Sequence, residues 1–366
     1  MTSEQPQLVY IGTYTETGDG QTHRSDSIYI YDFVSQTGEL ELRDIIHDVE
    51  NPSFLAIAKD GRYIFAVNEL SKFAGIDGGG VSALSLNPDS ASFINAQPTY
   101  GTAPCYITLD ATEKWALVAN YGGGNITVLP IADDGSLGAA ASVIQNQGQT
   151  GPQPQQDTPH AHSVIFDSAQ RYAFVADLGL DQILIFHFDS ASGQLSSHEF
   201  PSVATEPGAG PRHLEFHPNG RYLYVSNELN STIGVYDYDS EQGILKHKQT
   251  ISTLPDDFVG SNSVADIHVT RSGLSLYVSN RGHDSIAVFA IDPDQGTLSP
   301  IQTVSSGGKT PRNFALDLRD NFLLVAHQNS HNVIVFQVDK STGRLTQTES
   351  SVSIPSPVCV KVIAHV

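Results

Sequence analysis

The sequence predicts an all-β protein, a seven-bladed β-propeller of four-stranded blades. Three observations predict it. A short apolar run recurs seven times along the 366 residues, and a Gly-x-Leu turn recurs in phase with it. No stretch carries the periodicity of a long amphipathic helix.

The apolar run is "LVYIGT" (8–13), "YIFAVN" (63–68), "WALVAN" (115–120), "YAFVAD" (172–177), "YLYVSN" (222–227), "SLYVSN" (275–280) and "FLLVAH" (322–327). Successive copies end 55, 52, 57, 50, 53 and 47 residues apart. That period accommodates four short strands, the content of one propeller blade. The runs are apolar without alternation, as expected of strands covered on both faces by neighbouring blades.

One repeat shows the order of elements. "GPRHLEFHPNGRYLYVSNE" (210–228) reads as strand a, tight turn, strand b. Asn219-Gly220 is the turn signal, because both residues tolerate φ > 0. The hairpin brings Arg212, at the start of a, to the same end as Glu228, at the end of b. Strand c follows, as in "TIGVYDYD" (232–239), "SIAVFAID" (285–292) and "VIVFQVD" (333–339). The Gly-x-Leu turns at Gly38, Gly135, Gly193, Gly243, Gly296 and Gly343 lead into strand d.

The first repeat lacks a strand a. The C-terminal segment "SPVCVKVI" (356–363) is a strand a with nothing after it. The ring therefore closes when this segment completes the N-terminal blade and hides two sheet edges. Residues 1–366 are then expected to form one domain.

Composition bounds the function. The net charge of −21 argues against nucleic acid or an anionic membrane as partner. An anionic substrate would need a local basic cluster. Two cysteines, Cys105 and Cys359, give no disulfide framework and read as small packing residues. "MTSEQPQLVYIGT" has no signal-peptide pattern, and no apolar run approaches a membrane span. The expectation is a soluble cytoplasmic protein, monomeric or a weak homo-oligomer.

With the start of strand a taken as the top, the a–b and c–d turns are tight and lie at the bottom. The longer connections, 15–27, 70–80 and 146–161, lie at the top. The heads of the a strands are Ser53, Cys105, His162, Arg212, Ala265, Arg312 and Val358. The residues after the b strands are Tyr14, Glu69, Tyr121, Leu178, Glu228, Arg281 and Gln328. Small or apolar residues are the structural rule here. His162, Arg212, Arg312, Glu69, Glu228 and Arg281 depart from it, and such departures mark function. The bland alternative for Arg212 and Glu228 is an ion pair that ties off a hairpin. His160 and His162 share a side of an extended segment. Asn68, Asn120, Asp177, Asn227 and Asn280 form a ring better read as strand caps than as a cation site. Gly122–Gly124 precedes no helix and is no phosphate loop.

"GAGPRHLEFHPNGRYLYVSNELNSTIGVYDYD" (208–239), "HAHSV" (160–164), "YVSNRGHDSIAVF" (277–289) and "YIGTYT" (10–15) together resemble the seven-bladed propeller lactonase family. That family includes bacterial 6-phosphogluconolactonases and fungal carboxy-cis,cis-muconate cyclase. The resemblance covers essentially the whole chain. It implies a site of one His, two Arg and one Glu in the central cleft, which match His162, Arg212, Arg281 and Glu228. It implies a sugar lactone as substrate, phosphorylated in the bacterial case.

The chemistry is compatible. Lactone opening needs a base for water and a positive group for the oxyanion. Glu228 or His162 supplies the base, and Arg212 holds the carboxylate-like end or the developing oxyanion. Arg281 and Arg312, with Lys309 nearby, would take a phosphate. His160, Tyr14 and Glu69 complete the expected substrate-binding set. No serine elbow or zinc motif is present, and neither a metal nor a cofactor is expected. Two rival readings are a muconate-type cyclase using the same groups and a non-catalytic binding platform.

Overall fold

A computed structural model describes residues 6–15, 26–87 and 90–364. The described residues form seven four-stranded antiparallel sheets and one small hairpin, with no helix. The inner a strands are Pro357–Ala364, Leu55–Ile57, Pro104–Leu109, Ala161–Phe166, Pro211–Phe216, Ser263–Val269 and Pro311–Leu316, for blades one to seven. Each is followed outward by strands b, c and d. The protein is a seven-bladed β-propeller.

Closure follows the expected route. Pro357–Ala364 pairs antiparallel with Gln7–Thr13, with Gln7 opposite Ala364 and Gly12 opposite Cys359. The first sheet is thus built from both ends of the chain. The Tyr14 amide adds a hydrogen bond of 3.1 Å to the Ser356 carbonyl.

Packing lies between the blades. The b strands are almost wholly buried, as Tyr172–Asp177 and Tyr222–Asn227 show. The outer strands, such as Gln194–Ala204, are largely exposed. The Gly-x-Leu turn has a packing reason besides its backbone. Gly296 has φ 69°, and a Cβ there would stand 2.4 Å from the Tyr222 ring of the preceding blade. Gly243 meets Tyr172 in the same way at 2.8 Å. A side chain would be strained by its φ and would collide with the ring that begins the neighbouring b strand.

The a–b turn differs in one detail from the sequence expectation. Gly220 has φ 70°, but Asn219 is not in the left-handed region. The loop runs from His217 to Tyr222, and the Gly220 amide donates to the His217 carbonyl at 2.8 Å. In this longer turn only the last residue must be left-handed.

The ring of Asn and Asp side chains is engaged locally. Asp177 accepts from the His160 and Leu180 amides at 2.8 and 3.0 Å, and Asn68 donates to the Glu50 carbonyl at 2.8 Å. Connection 70–80 contains the hairpin Lys72–Phe73 with Ile76–Asp77. Gln156 pins connection 146–161 through bonds to the Leu178 carbonyl (2.8 Å) and Asp181 (2.7 Å). Most of connection 15–27 lies outside the described residues.

Candidate active site

Bulges aim the site residues. In blade five Pro211 pairs with Asn227 and His213 with Ser226, so Arg212 is the extra residue in strand a. His162 occupies the same position between Ala161 and Ser163, and Arg312 between Pro311 and Asn313. A bulged residue is released from the ladder and its side chain is re-aimed. Glu228 follows strand b of the same blade, held by its amide to the Gly210 carbonyl at 2.7 Å.

These residues converge on one carboxylate. Glu228 Oε2 lies 2.9 Å from Arg212 Nε, 3.0 Å from Arg281 Nη2 and 4.0 Å from His162 Nε2. Arg281 also donates to the Val264 carbonyl at 3.0 Å. The side chain of Arg212 is 2% exposed and that of Glu228 is 17% exposed, so the cluster is open on the Glu228 side. The Arg212 Nε–H is close to the carboxylate but poorly aligned for a hydrogen bond.

The electrostatics follow from burial and the guanidinium groups. Burial pushes the Glu228 pKa up, but Arg281, Arg212 and Arg312 outweigh it and hold the carboxyl below its usual range. Burial, then repulsion by Arg212, His213 and Arg312, pulls His162 well below the ordinary imidazole value. The pair at neutral pH is therefore a carboxylate and a neutral imidazole. Burial and the neighbouring Arg281 lower Arg212 to about 10, which leaves it charged.

A second group lies across blades one, two and seven. The Tyr14 hydroxyl donates to both Glu69 oxygens at 3.0 Å. The Arg312 guanidinium lies over the Tyr14 ring, 5.4 Å from its centre. Burial disfavours its charge, but Tyr14, Glu69 and Glu228 more than restore it. Among the described residues Arg312 forms no side-chain hydrogen bond to protein. Its donors remain available. His160 is more occupied. Its ring nitrogens face the Tyr121 carbonyl at 2.9 Å and Asp157 at 3.0 Å, and it stacks on Tyr121 at 4.5 Å. The Lys309 side chain is exposed and joins no ion pair of the cluster. Among the described residues no His, Cys, Asp and Glu side chains are grouped to hold a metal ion.

Some neighbours escaped the sequence reading. Cys105 is more than filler: its Sγ lies 3.7 Å from His162 Nδ1. One position further along the a strands stand His213, Asp266 and Asn313, all buried. His213 touches Arg212, and Asp266 touches both His213 and Asn313. The signal was available, since these three polar residues occupy the next aligned rank in blades five, six and seven.

A propeller that gathers arginines, a carboxylate and a histidine from the same end of its a and b strands has the build of a small-molecule enzyme. The family model described as "Lactonase, 7-bladed beta-propeller" matches residues 8–362. The chain belongs to that family. It is 35% identical over 361 residues to the 6-phosphogluconolactonase of Bacillus subtilis, covering 98% of each chain. It is 32% identical over 343 residues to a Formosa agariphila protein of the same name, covering 92% of this chain and 94% of that one. Among solved structures, the periplasmic gluconolactonase PpgL of Pseudomonas aeruginosa superposes with a TM-score of 0.90 at 31% identity, covering 98% of this chain and 99% of that one. No helix among the described residues is long and apolar enough to cross a membrane.

Proposed function

We propose that this protein hydrolyses a sugar δ-lactone carrying a phosphate, of the 6-phosphogluconolactone type, to the open acid. The observation that carries the reading is the convergence of Arg212, Arg281 and His162 on Glu228, beside the uncommitted guanidinium of Arg312. A water seated between Glu228 and His162 would reach both groups across their 4.0 Å separation. Glu228 takes its proton as the water attacks the lactone carbonyl. Carboxylate basicity lowered by the three arginines suffices, because such lactones already open slowly in water. Arg212 faces the developing oxyanion and stabilises it more than the neutral carbonyl. The ring oxygen leaves as a hydroxyl, with its proton returned from Glu228.

Arg312, framed by Tyr14 and Glu69, takes the phosphate. Arg212, Arg281 and Arg312 are the local basic cluster that an anionic substrate requires in a protein of net charge −21. His160 and Tyr121 form a flat wall for the sugar.

The test is hydrolysis of 6-phosphogluconolactone and gluconolactone side by side, with spontaneous opening subtracted. A higher kcat/KM for the phosphorylated lactone is expected. Preference for gluconolactone would remove the phosphate role, and turnover of neither would overturn the reading.

A further inference from the structure

We propose that His213 and Asp266 are positioning residues that hold the Arg212 guanidinium in its working orientation. Arg212 Nη1 lies 3.1 Å from His213 Nε2, and His213 Nδ1 lies 2.7 Å from Asp266 Oδ1. Donor and acceptor roles are fixed by chemistry. A guanidinium only donates, so Nε2 must be the accepting nitrogen. The ring proton then sits on Nδ1 and is given to Asp266. The opposite tautomer, or an imidazolium, would point an N–H at Arg212. Burial and the charge of Arg212 depress the His213 pKa to about 3 and keep the ring neutral.

Asp266 is itself fixed from several directions. Its Oδ2 accepts from the Phe314 amide at 3.1 Å, from the Asn313 side chain, and from His268 Nε2 at 3.1 Å. Asn313 in turn accepts from the Val360 amide of the closing strand at 2.6 Å. The direction of one guanidinium is thus referenced to blades five, six, seven and one. His213 grips Nη1 while Glu228 sits at Nε, which fixes the plane of the group. The Nη2 donor is left without a protein partner among the described residues, free to meet substrate oxygen. An arginine free to rotate would instead move both amino groups toward Glu228, the bidentate arrangement that such pairs favour.

The kinetic arm rests on the proposed hydrolysis. His213→Leu removes the acceptor while keeping an apolar shape, and His213→Gln offers a carbonyl in its place. The Leu variant is expected to lose about 10- to 100-fold in kcat with little change in KM. The Gln variant should recover most of that loss. Adding His213→Leu to an Arg212→Ala background should cost less than about twofold more, because the two residues act as one unit. Equal losses in the Leu and Gln variants, or full additivity with Arg212→Ala, would overturn the proposal, as would normal turnover in a folded Leu variant. A purely structural histidine would lower the melting temperature and leave turnover of the folded protein intact.

A second measurement needs no variant and no activity. Nitrogen-15 shifts of the His213 ring in the intact protein should show a protonated Nδ1 and an unprotonated Nε2 from pH 5.5 to 8. An Nε2–H tautomer, or a ring that titrates in this range, would sink the proposal. An inactive parent protein would overturn the functional reading alone, and the tautomer would then decide on His213.

Discussion

Arg212 and Glu228 stand at the two ends of one β-hairpin and meet at 2.9 Å, the arginine almost wholly buried and the glutamate on the open side. A tie for the hairpin would need only this pair. The same carboxylate also takes Arg281 from the next blade at 3.0 Å. An arrangement of two guanidinium groups on one carboxylate exceeds what closing a turn requires, and it invites a direct test.

Glu228→Gln keeps the shape and removes the charge. The amide accepts no proton, so turnover should fall on the order of 10²- to 10⁴-fold. Arg212 also loses its counterion, and stability should drop by about 1–3 kcal/mol, because the partly open site lets the amide keep some hydrogen bonding. Turnover per folded molecule and the melting curve must be measured on one preparation. Near-normal turnover in the folded fraction would remove Glu228 as the base and move that role to His162.

The pH dependence of stability follows from buried neutral imidazoles. Burial lowers His213 to about 3 and His327 to about 4, and it lowers His162 in the same direction. Below about 6.5 the unfolded chain binds protons that the fold refuses, so these groups cost stability as the pH falls. Glu215 acts oppositely. Burial raises it to about 7, so its contribution is full below the unfolded value of about 4.3 and is lost as pH rises toward 7. His268, raised by Asp266 and Glu215 against the effect of burial, likewise contributes fully below about 6.5. Glu228 and Asp266 are lowered, and their contributions fade only below about 4. Three histidines outweigh Glu215 and His268, and stability should fall by on the order of 1–2 kcal/mol per pH unit between 6.5 and 4.5. Chemical denaturation across that range checks it, and a flat profile would contradict these buried states.

Activity should behave differently from stability. Glu228 stays ionised and His162 stays neutral well below pH 6.5. For gluconolactone, which carries no titrating phosphate, kcat/KM should therefore be level from pH 5.5 to 7.5, after subtraction of the spontaneous rate. An inflection near 6.5 would show that an ordinary histidine titrates in the free enzyme.

Arg312→Met tests the phosphate contact. Methionine keeps much of the length of the side chain without the guanidinium that lies over Tyr14, and the Tyr14–Glu69 hydrogen bonds at 3.0 Å are not removed. Loss of a charged contact should cost about 10- to 100-fold in kcat/KM for the phosphorylated lactone. The unphosphorylated lactone should change much less. Equal losses for both would place Arg312 at the reacting centre.

Deleting residues 356–366 removes the inner strand of the first blade and strips Gln7–Thr13 of one partner. Two sheet edges open, and the ring loses its closure between blades one and seven. The truncated chain should aggregate or melt far below the parent. Scanning calorimetry of both chains checks this, and matching transitions would show that the ring does not depend on its closing strand.

The blade repeat was written in the chain itself. Each run such as "YLYVSN" is a strand buried on both faces, and the Gly-x-Leu turns need a residue without a Cβ, beside a Tyr, Trp or Phe of the blade before at Gly38, Gly135, Gly193, Gly243 and Gly296 and beside Ser275 at Gly343. A pattern imposed by local sterics at every repeat is legible from one sequence. Closure was legible for a similar reason: Gln7–Thr13 lacked an inner partner, and Pro357–Ala364 lacked an outer one. The meeting of Arg212 and Glu228 followed from a single hairpin, where chain distance is short and the register is fixed.

Tertiary structure decided what crosses between blades. Tyr14 and Glu69 were visible in one aligned rank and Arg312 in another, but not the bonds of Tyr14 to Glu69 or the guanidinium lying over the tyrosine ring. Nor did the sequence show that Arg212, His162 and Arg312 sit on bulges, because a bulge is a relation between two paired strands. His213, Asp266 and Asn313 share an aligned rank that the sequence displays, but the bonds that join them cross between blades. A repeat alignment assigns each residue a height along the channel. Only the closed ring sets the rotation of each strand about its axis, and with it the side chains that come within hydrogen-bonding distance.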